Sequence, residues 1–141
     1  MLTIVSFIFI FFLSYSAQGA EADPLWQLIE GAKKEGKLVF YTSVETEFAR
    51  VLTGGFEAKY PFVKTDIFGS SDDKIFSRLN IERKAGTFAA DVLSVGEFET
   101  YHMQKRGLLT PYKAASAAVY PEGFKDPDGY WTDFYDNLIV S

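Results

Sequence analysis

Residues 38–46 read Leu38-Val39-Phe40-Tyr41-Thr42-Ser43-Val44-Glu45-Thr46: four apolar residues, then hydroxyls, a carboxylate and the start of a new periodicity. An unbroken apolar run this short is the pattern of a strand buried on both faces, because a strand with one wet face would alternate instead. Burial on both faces requires helices on both sides, so this stretch sets the fold class as α/β.

The pattern on either side agrees. Upstream, Asp23-Pro24 places a cap before proline at a first helical position. Leu25, Leu28, Ile29 and Ala32 then follow helical spacing, and Lys33-Lys34 precede Gly36. Downstream, a helix is predicted over 46–59, with Phe48, Leu52, Gly55, Phe56 and Lys59 on one side and Pro61 ending it. Val63, Thr65 and Ile67 alternate with Lys64 and Asp66, which predicts a second strand. Ser70 and Asp73 have capping-box spacing, with Asp in place of the usual Glu, ahead of a third helix carrying Ile75, Phe76 and Leu79 inward. A third strand is predicted over 91–95, after Ala85-Gly86, and a short helix over 97–106, stopped by Gly107. Residues 114–119 fit either a helical turn or a loop. Asp126-Pro127-Asp128-Gly129 is a turn signal ahead of the apolar runs at 130–135 and 138–140.

Strands separated by helices predict a parallel sheet with right-handed crossovers. Ligands of such sheets bind beyond the carboxyl ends of the strands. The loops 42–46, 69–72 and 96–97 become candidates on that ground alone. Each leads into a helix N-terminus, where free N–H groups and the helix dipole favour an anion.

Composition narrows the classes. The 141 residues carry 14 Lys and Arg against 19 Asp and Glu, a net charge of −5, so a basic surface for nucleic acid phosphates is not expected. The absence of Cys removes disulfides, zinc–thiolate sites, iron–sulfur clusters and cysteine nucleophiles. With 48% hydrophobic residues the chain is ordinary for a globular protein, not a disordered one. Its aromatic residues occur in every element and read as core, with Trp26 and Trp131 as anchors.

The N-terminus reads as an address. Ile4 to Leu13 is almost uninterruptedly apolar, the length of a secretory signal core and far short of the roughly 20 residues that span a bilayer. Small residues follow, so residues 1–19 are expected to be a signal peptide, with cleavage as late as residue 22. Met1-Leu2-Thr3 lacks the usual basic residue, and the alternative is an uncleaved anchor. Residues 20–141 are then the exported domain, with the periplasm as its compartment. The final Leu138-Ile139-Val140-Ser141 falls within an apolar run, which suggests a fragment of a longer protein.

Four stretches in order carry a resemblance: residues 35–43, Ala89-Ala90-Asp91-Val92, Lys105-Arg106-Gly107-Leu108-Leu109, and residues 126–131. Together they resemble the N-terminal portion of a family 1 extracellular solute-binding protein, in the branch that includes ferric-iron-binding proteins. The resemblance implies a periplasmic-binding-protein type II-like fold, of which this chain is the first lobe up to the crossing to a second. It also implies capture of a small ligand between lobes and delivery to the membrane permease of an ATP-driven (ABC) importer, by a monomer that is not an enzyme and holds no resident cofactor. Ferric-binding relatives use a His after the first strand, sometimes a carboxylate after the third, and a tyrosine pair in the second lobe. Here the first position is Glu45, a hard oxygen donor suited to Fe3+, and the second is Gly96, with Glu97 adjacent.

The expected ligand is ferric iron or a small organic anion. Thr42, Ser43, Glu45, Ser70, Ser71, Gly96, Glu97 and Asn137 are the candidate binding residues, with Glu45 the metal ligand if iron is bound. Each has a plainer reading: Ser70 and Ser71 cap a helix, and Glu45 and Glu97 are solvated first-turn carboxylates. Tyr135 and Asp136 lie near the expected interlobe crossing and either line the cleft or satisfy a turn. His102, with no second His or Cys, reads as a packed or surface residue. Asp126 and Asp128 do not continue into a calcium loop, and Asp72-Asp73 read as neutralising a helix N-terminus. Two other classes compete. One is a flavodoxin-like FMN-binding electron carrier, suggested by the hydroxyl-rich loop after the first strand but lacking its glycine. The other is an exported interaction domain without a small ligand. No nucleophile is paired with a base in the sequence pattern.

Overall fold

The apolar run at 38–41 lies in the middle strand of a three-stranded parallel sheet. The computed structural model describes residues 25–135. The signal segment, the Asp23-Pro24 cap, Asp136, Asn137 and the run at 138–140 lie outside the described residues. Helix α1 (Leu25–Glu35) leads into β1 (Lys37–Thr42), followed by α2 (Thr46–Lys59), β2 (Lys64–Gly69), α3 (Asp72–Ala85), β3 (Val92–Ser94), α4 (Glu97–Lys105) and a 3-10 turn (Ala115–Val119). The sheet order is β2-β1-β3, with Phe40 opposite both Ile67 and Val92. The α/β fold with a parallel sheet flanked by helices, expected from the sequence, is the fold observed.

Side chains alternate across a strand, so β1 serves two layers. Tyr41 packs with Ile75 and Leu79 of α3 and Met103 of α4, with Val39, Phe68 and Leu93 around them. Each of the buried aliphatic side chains contributes about 1.5–3 kcal/mol by leaving water. Phe40 and Thr42 face the other way and are buried, as are Ala49 and Thr53 of α2 and Val63. The sheet is therefore wound on both sides, and this is why the central strand shows no polar alternation.

Several expectations need correction. On the side of α2 that carries Phe48, Leu52 and Phe56, only Phe56 is half-buried, and the buried residues of the helix are Ala49 and Thr53, whose small side chains let it approach the sheet closely. Trp26 is no anchor, being 64% exposed on α1, whereas Trp131 is half-buried. Strand β3 has three residues, not five. Asp91, outside it, turns its carboxylate to accept from Val39 N at 2.7 Å, and its own N–H donates to Val39 O at 3.0 Å. The helix α3 starts at Asp72 with Ser71 at the cap, one residue later than the capping-box spacing implied.

One buried polar node ties α3 to the sheet. The Glu82 carboxylate accepts from Tyr41 Oη at 2.7 Å, Arg78 Nε at 2.9 Å and Ala89 N at 3.3 Å. The Arg78 guanidinium also lies over the rings of Phe68 and Tyr41, 4.2 and 4.9 Å from their centroids. Burial pushes the Glu82 carboxyl up, but the donors Arg78, Tyr41 and Ala89 more than offset it, so it sits below the usual glutamate range. Burial and the adjacent Glu82 push the Tyr41 hydroxyl up, so it stays a neutral donor.

The turn at 126–129 is built as the sequence suggests. Asp126 Oδ2 accepts from Tyr130 N at 3.0 Å, and its carbonyl accepts from Gly129 N at 3.0 Å. Gly129 has φ +87°, and a Cβ there would come within 2.7 Å of Lys113 Cγ. Its carbonyl accepts from Tyr112 N at 2.8 Å, holding the turn against residues 112–113.

Two predictions follow from this packing. Replacing Glu82 by Gln is expected to cost about 1–3 kcal/mol at neutral pH, since three donors lose their carboxylate. Because the folded carboxyl is depressed, the wild-type contribution is full above the ordinary glutamate value and fades as pH falls through the lower folded value. Urea unfolding across that acid range should show this component in the wild type and not in Glu82→Gln. Gly129→Ala is expected to cost about 1–2 kcal/mol from its left-handed backbone alone, read as a lower urea midpoint with an unchanged slope.

Candidate functional site

The carboxyl ends of β1, β2 and β3 are stitched to one another, and this is where most of the candidate residues meet. Ser43 N donates to Ser94 O at 3.0 Å, and Ser70 N donates to Thr42 O at 3.0 Å. Gly96 N donates to Asp72 Oδ1 at 3.2 Å. Thr42 is fully buried, and its Oγ1 accepts from Val44 N at 3.1 Å, bending the chain from strand toward α2. The helices α3 and α4 share a face with Tyr41 while α2 covers the opposite one, so β1 and β3 flank the point where the winding reverses. That switch point is where an open α/β sheet forms its crevice.

Thr42, Ser43, Ser70, Ser71, Gly96 and Glu97 thus lie along one edge of the sheet, with Glu45 at the N-cap position of α2. Glu45 and Glu97 are exposed. The Ser43 hydroxyl points back to Ser94 O at 3.5 Å, a long contact that leaves it adaptable. Ser71 does not cap α3 with its side chain. Its hydroxyl instead bonds Asp73, and with the N–H groups of Lys74 and Asp73 it holds that carboxyl below the usual range. The reading of Asp73 as neutralising the helix N-terminus is thereby met. Asp72 behaves otherwise, reaching the β3–α4 turn.

Sequence reasoning placed Asp72 in a candidate loop but missed its bond to Gly96 N, and missed Ser94 as part of this edge. No local signal marks them, since the partners of each lie more than 20 residues away in the chain. The consequence is electrostatic: Glu45, Asp72, Asp73, Glu97 and Glu99 all border the edge, against Lys74 alone from the same turns. The dipoles of three helix N-termini meet carboxylates already in place. Among the described residues, no group of three or more His, Cys, Asp or Glu is placed to hold a metal ion by itself.

A second feature lies beyond β3. An open cleft of about 540 Å3 runs beside Ser94, Gly96 and Glu97 and is lined on another side by Trp131 to Tyr135. It includes Tyr135 but none of Thr42, Ser43, Glu45, Ser70 and Ser71, so the candidate residues divide between the strand-end edge and this cleft. His102 is packed against the rings of Phe98, Tyr101 and Phe76, with centroids 4.4, 5.4 and 6.4 Å away, as expected for a packed histidine. No described helix is long and apolar enough to cross a membrane.

No protein-family profile matches the chain, and no curated protein is similar to it in sequence. Among solved structures it is similar to the Trichodesmium protein FutA (IdiA) in complex with iron and citrate ligands. The TM-score is 0.61 and the identity 22%, over 70% of this chain and 31% of that one. The likeness is one of fold. It shows that the parallel α/β arrangement of this chain matches part of that protein, and the chain spans about a third of the length of the protein it matches.

One prediction tests the strand-end edge. Thr42→Val keeps the shape but leaves Val44 N without its acceptor, and is expected to cost about 1–2 kcal/mol. Hydrogen exchange should speed up at Val44 while the amides of α3 keep their protection relative to the new global stability.

Proposed function

We propose that this chain is the ligand-capturing lobe of an exported solute-binding protein. Its cargo is ferric iron carried as a small carboxylate chelate, and it serves an ATP-driven importer from the periplasm. The observation that carries this reading is the strand-end edge itself. Three βα loops are tied together by Ser43 N to Ser94 O, Ser70 N to Thr42 O and Gly96 N to Asp72 Oδ1 at the winding reversal. The resemblance of residues 35–43, 89–92, 105–109 and 126–131 to family 1 solute-binding proteins supports it, and so does the apolar export segment. That FutA holds iron and citrate on a similar fold supports the choice of cargo.

The chemistry of the edge orders the two ligand classes. A free organic anion would meet Glu45, Asp72 and Glu97 and be repelled. A bare metal ion would lack donors, since no cluster of three is present among the described residues. A chelate answers both problems. The carboxylates of the chelator fill part of the Fe3+ coordination sphere with hard oxygens, as that cation prefers. Glu45 and Glu97 would supply further oxygens to the metal, and the hydroxyls of Thr42, Ser43, Ser70 and Ser71 would orient the chelator. Closure of a hinge onto this edge would bury the chelate and present one face to the permease. The role in this reading is binding, and the one imidazole, His102, is packed against the rings of Phe98 and Tyr101.

The test is a nuclear magnetic resonance titration with gallium citrate, a diamagnetic stand-in for the ferric complex. Amide shifts should cluster at 43–46, 70–72 and 96–97, with half-saturation at about millimolar or below, and citrate alone should leave them in place. Equal shifts with citrate alone would replace iron by an organic anion as cargo. Shifts elsewhere, or none, would overturn this edge as the site.

A further inference from the structure

Helix α2 turns three of its larger apolar side chains to solvent. Its buried residues are Ala49 and Thr53, while Phe48, Val51 and Leu52 are 49, 74 and 46% exposed. With Gly55 these three recur at i, i+3, i+4 and i+7, the spacing of a stripe that normally meets another element. Nothing stands within 4 Å of where a Gly55 Cβ would be, so the stripe is flat at its middle and a second helix can approach closely there. Beyond Phe56 the same surface continues into a groove whose other wall includes Leu25 and Leu28 of α1, both exposed. The two ends of α2 carry opposite charges, Glu47 in the first turn and Lys59 in the last. Among the described residues neither is in an ion pair. The Lys59 ammonium lies 5.2 Å from the Tyr60 ring centroid, a contact that leaves its charge without a carboxylate.

We propose that the exposed face of α2 is a self-association surface, on which a second copy of this chain docks as a two-fold dimer. An apolar centre with an acid at one end and a base at the other is complementary to itself when the two helices run antiparallel. Each Glu47 then comes within side-chain reach of the partner's Lys59, Leu52 packs on the flat Gly55 of the partner subunit, and the helix dipoles run in opposite directions. Parallel pairing would set like charges together. An anionic bilayer fits less well, because it attracts a basic rim and this chain carries a net charge of −5. The surface uses none of the candidate binding residues at the strand-end edge, so its test is independent of the gallium citrate titration.

Analytical ultracentrifugation of the full chain tests it. The sedimenting mass is expected to rise from monomer to dimer, with half-association at roughly tens of micromolar, as suits an interface of small area. Leu52→Asp, at an exposed position, should weaken association about tenfold or more by placing a charge in the apolar centre. Glu47→Lys and Lys59→Glu should each weaken it about threefold, and the double variant should recover the wild-type association because the pair is restored in reverse. Far-ultraviolet circular dichroism checks that all four variants remain folded. A monomer at concentrations far above tens of micromolar would overturn the proposal. So would association that Leu52→Asp leaves unchanged, which would assign it to the apolar segment at 4–13, or a double variant that associates no more tightly than either single one.

Discussion

The Glu82 carboxylate, held between Tyr41 and Arg78 beneath the sheet, is the constraint on which the rest of this fold depends. Tyr41 is 1% exposed at the centre of β1, and a buried phenol without an acceptor would cost free energy comparable to a lost hydrogen bond. Glu82 supplies that acceptor from α3 and in return needs donors of its own, which Arg78 and Ala89 N provide. The node therefore sets where α3 lies along β1, and through the contact of Ile75 and Leu79 with Met103 it sets α4 as well. With α3 so placed, Asp72 at its first turn comes within reach of Gly96 N, and the candidate edge is assembled from helices locked elsewhere.

This arrangement separates rigid support from adaptable surface. The backbone bonds that join Ser43, Ser70 and Gly96 to their neighbours are made at the end of a sheet anchored on both faces. The groups left over are hydroxyls and exposed carboxylates, which can reorient toward a ligand with little cost to the fold. Carboxylates at these helix N-termini offset part of the attraction that the helix dipoles exert on an anion. The charge that matters is the sum of the turn residues and of what reaches them from other elements.

The aromatic residues divide in the same manner. Tyr41, Phe40 and Phe68 are core, and Arg78 extends their packing as a flat cation over two rings. Trp26, Phe98 and Tyr101 are exposed, and Tyr101 with Trp131 borders the cleft. The aromatic residues are thus divided between the core and the surface.

Residues 38–41 and the periodicity on each side determined, without further information, that the fold is α/β, that the strands run parallel and that their carboxyl ends face one edge. Those conclusions rest on local physics: an apolar run too short for a helix, helical spacing at 46–59, and turn chemistry at 126–129. The resemblance of four short stretches pointed to the same parallel α/β arrangement that the structure shows. The inward face of α2 was not legible, because helical spacing allows both a Phe48–Leu52 stripe and an Ala49–Thr53 stripe, and only contact with β2 chooses the smaller side chains. Trp26 was misread for the same reason, since size favours burial but its position on α1 decides it. The bond from Asp72 to Gly96, the node at Glu82 and the ring-lined cleft lay beyond any sequence pattern. Each joins residues far apart in the chain, and their meeting is set by how the helices pack on the sheet.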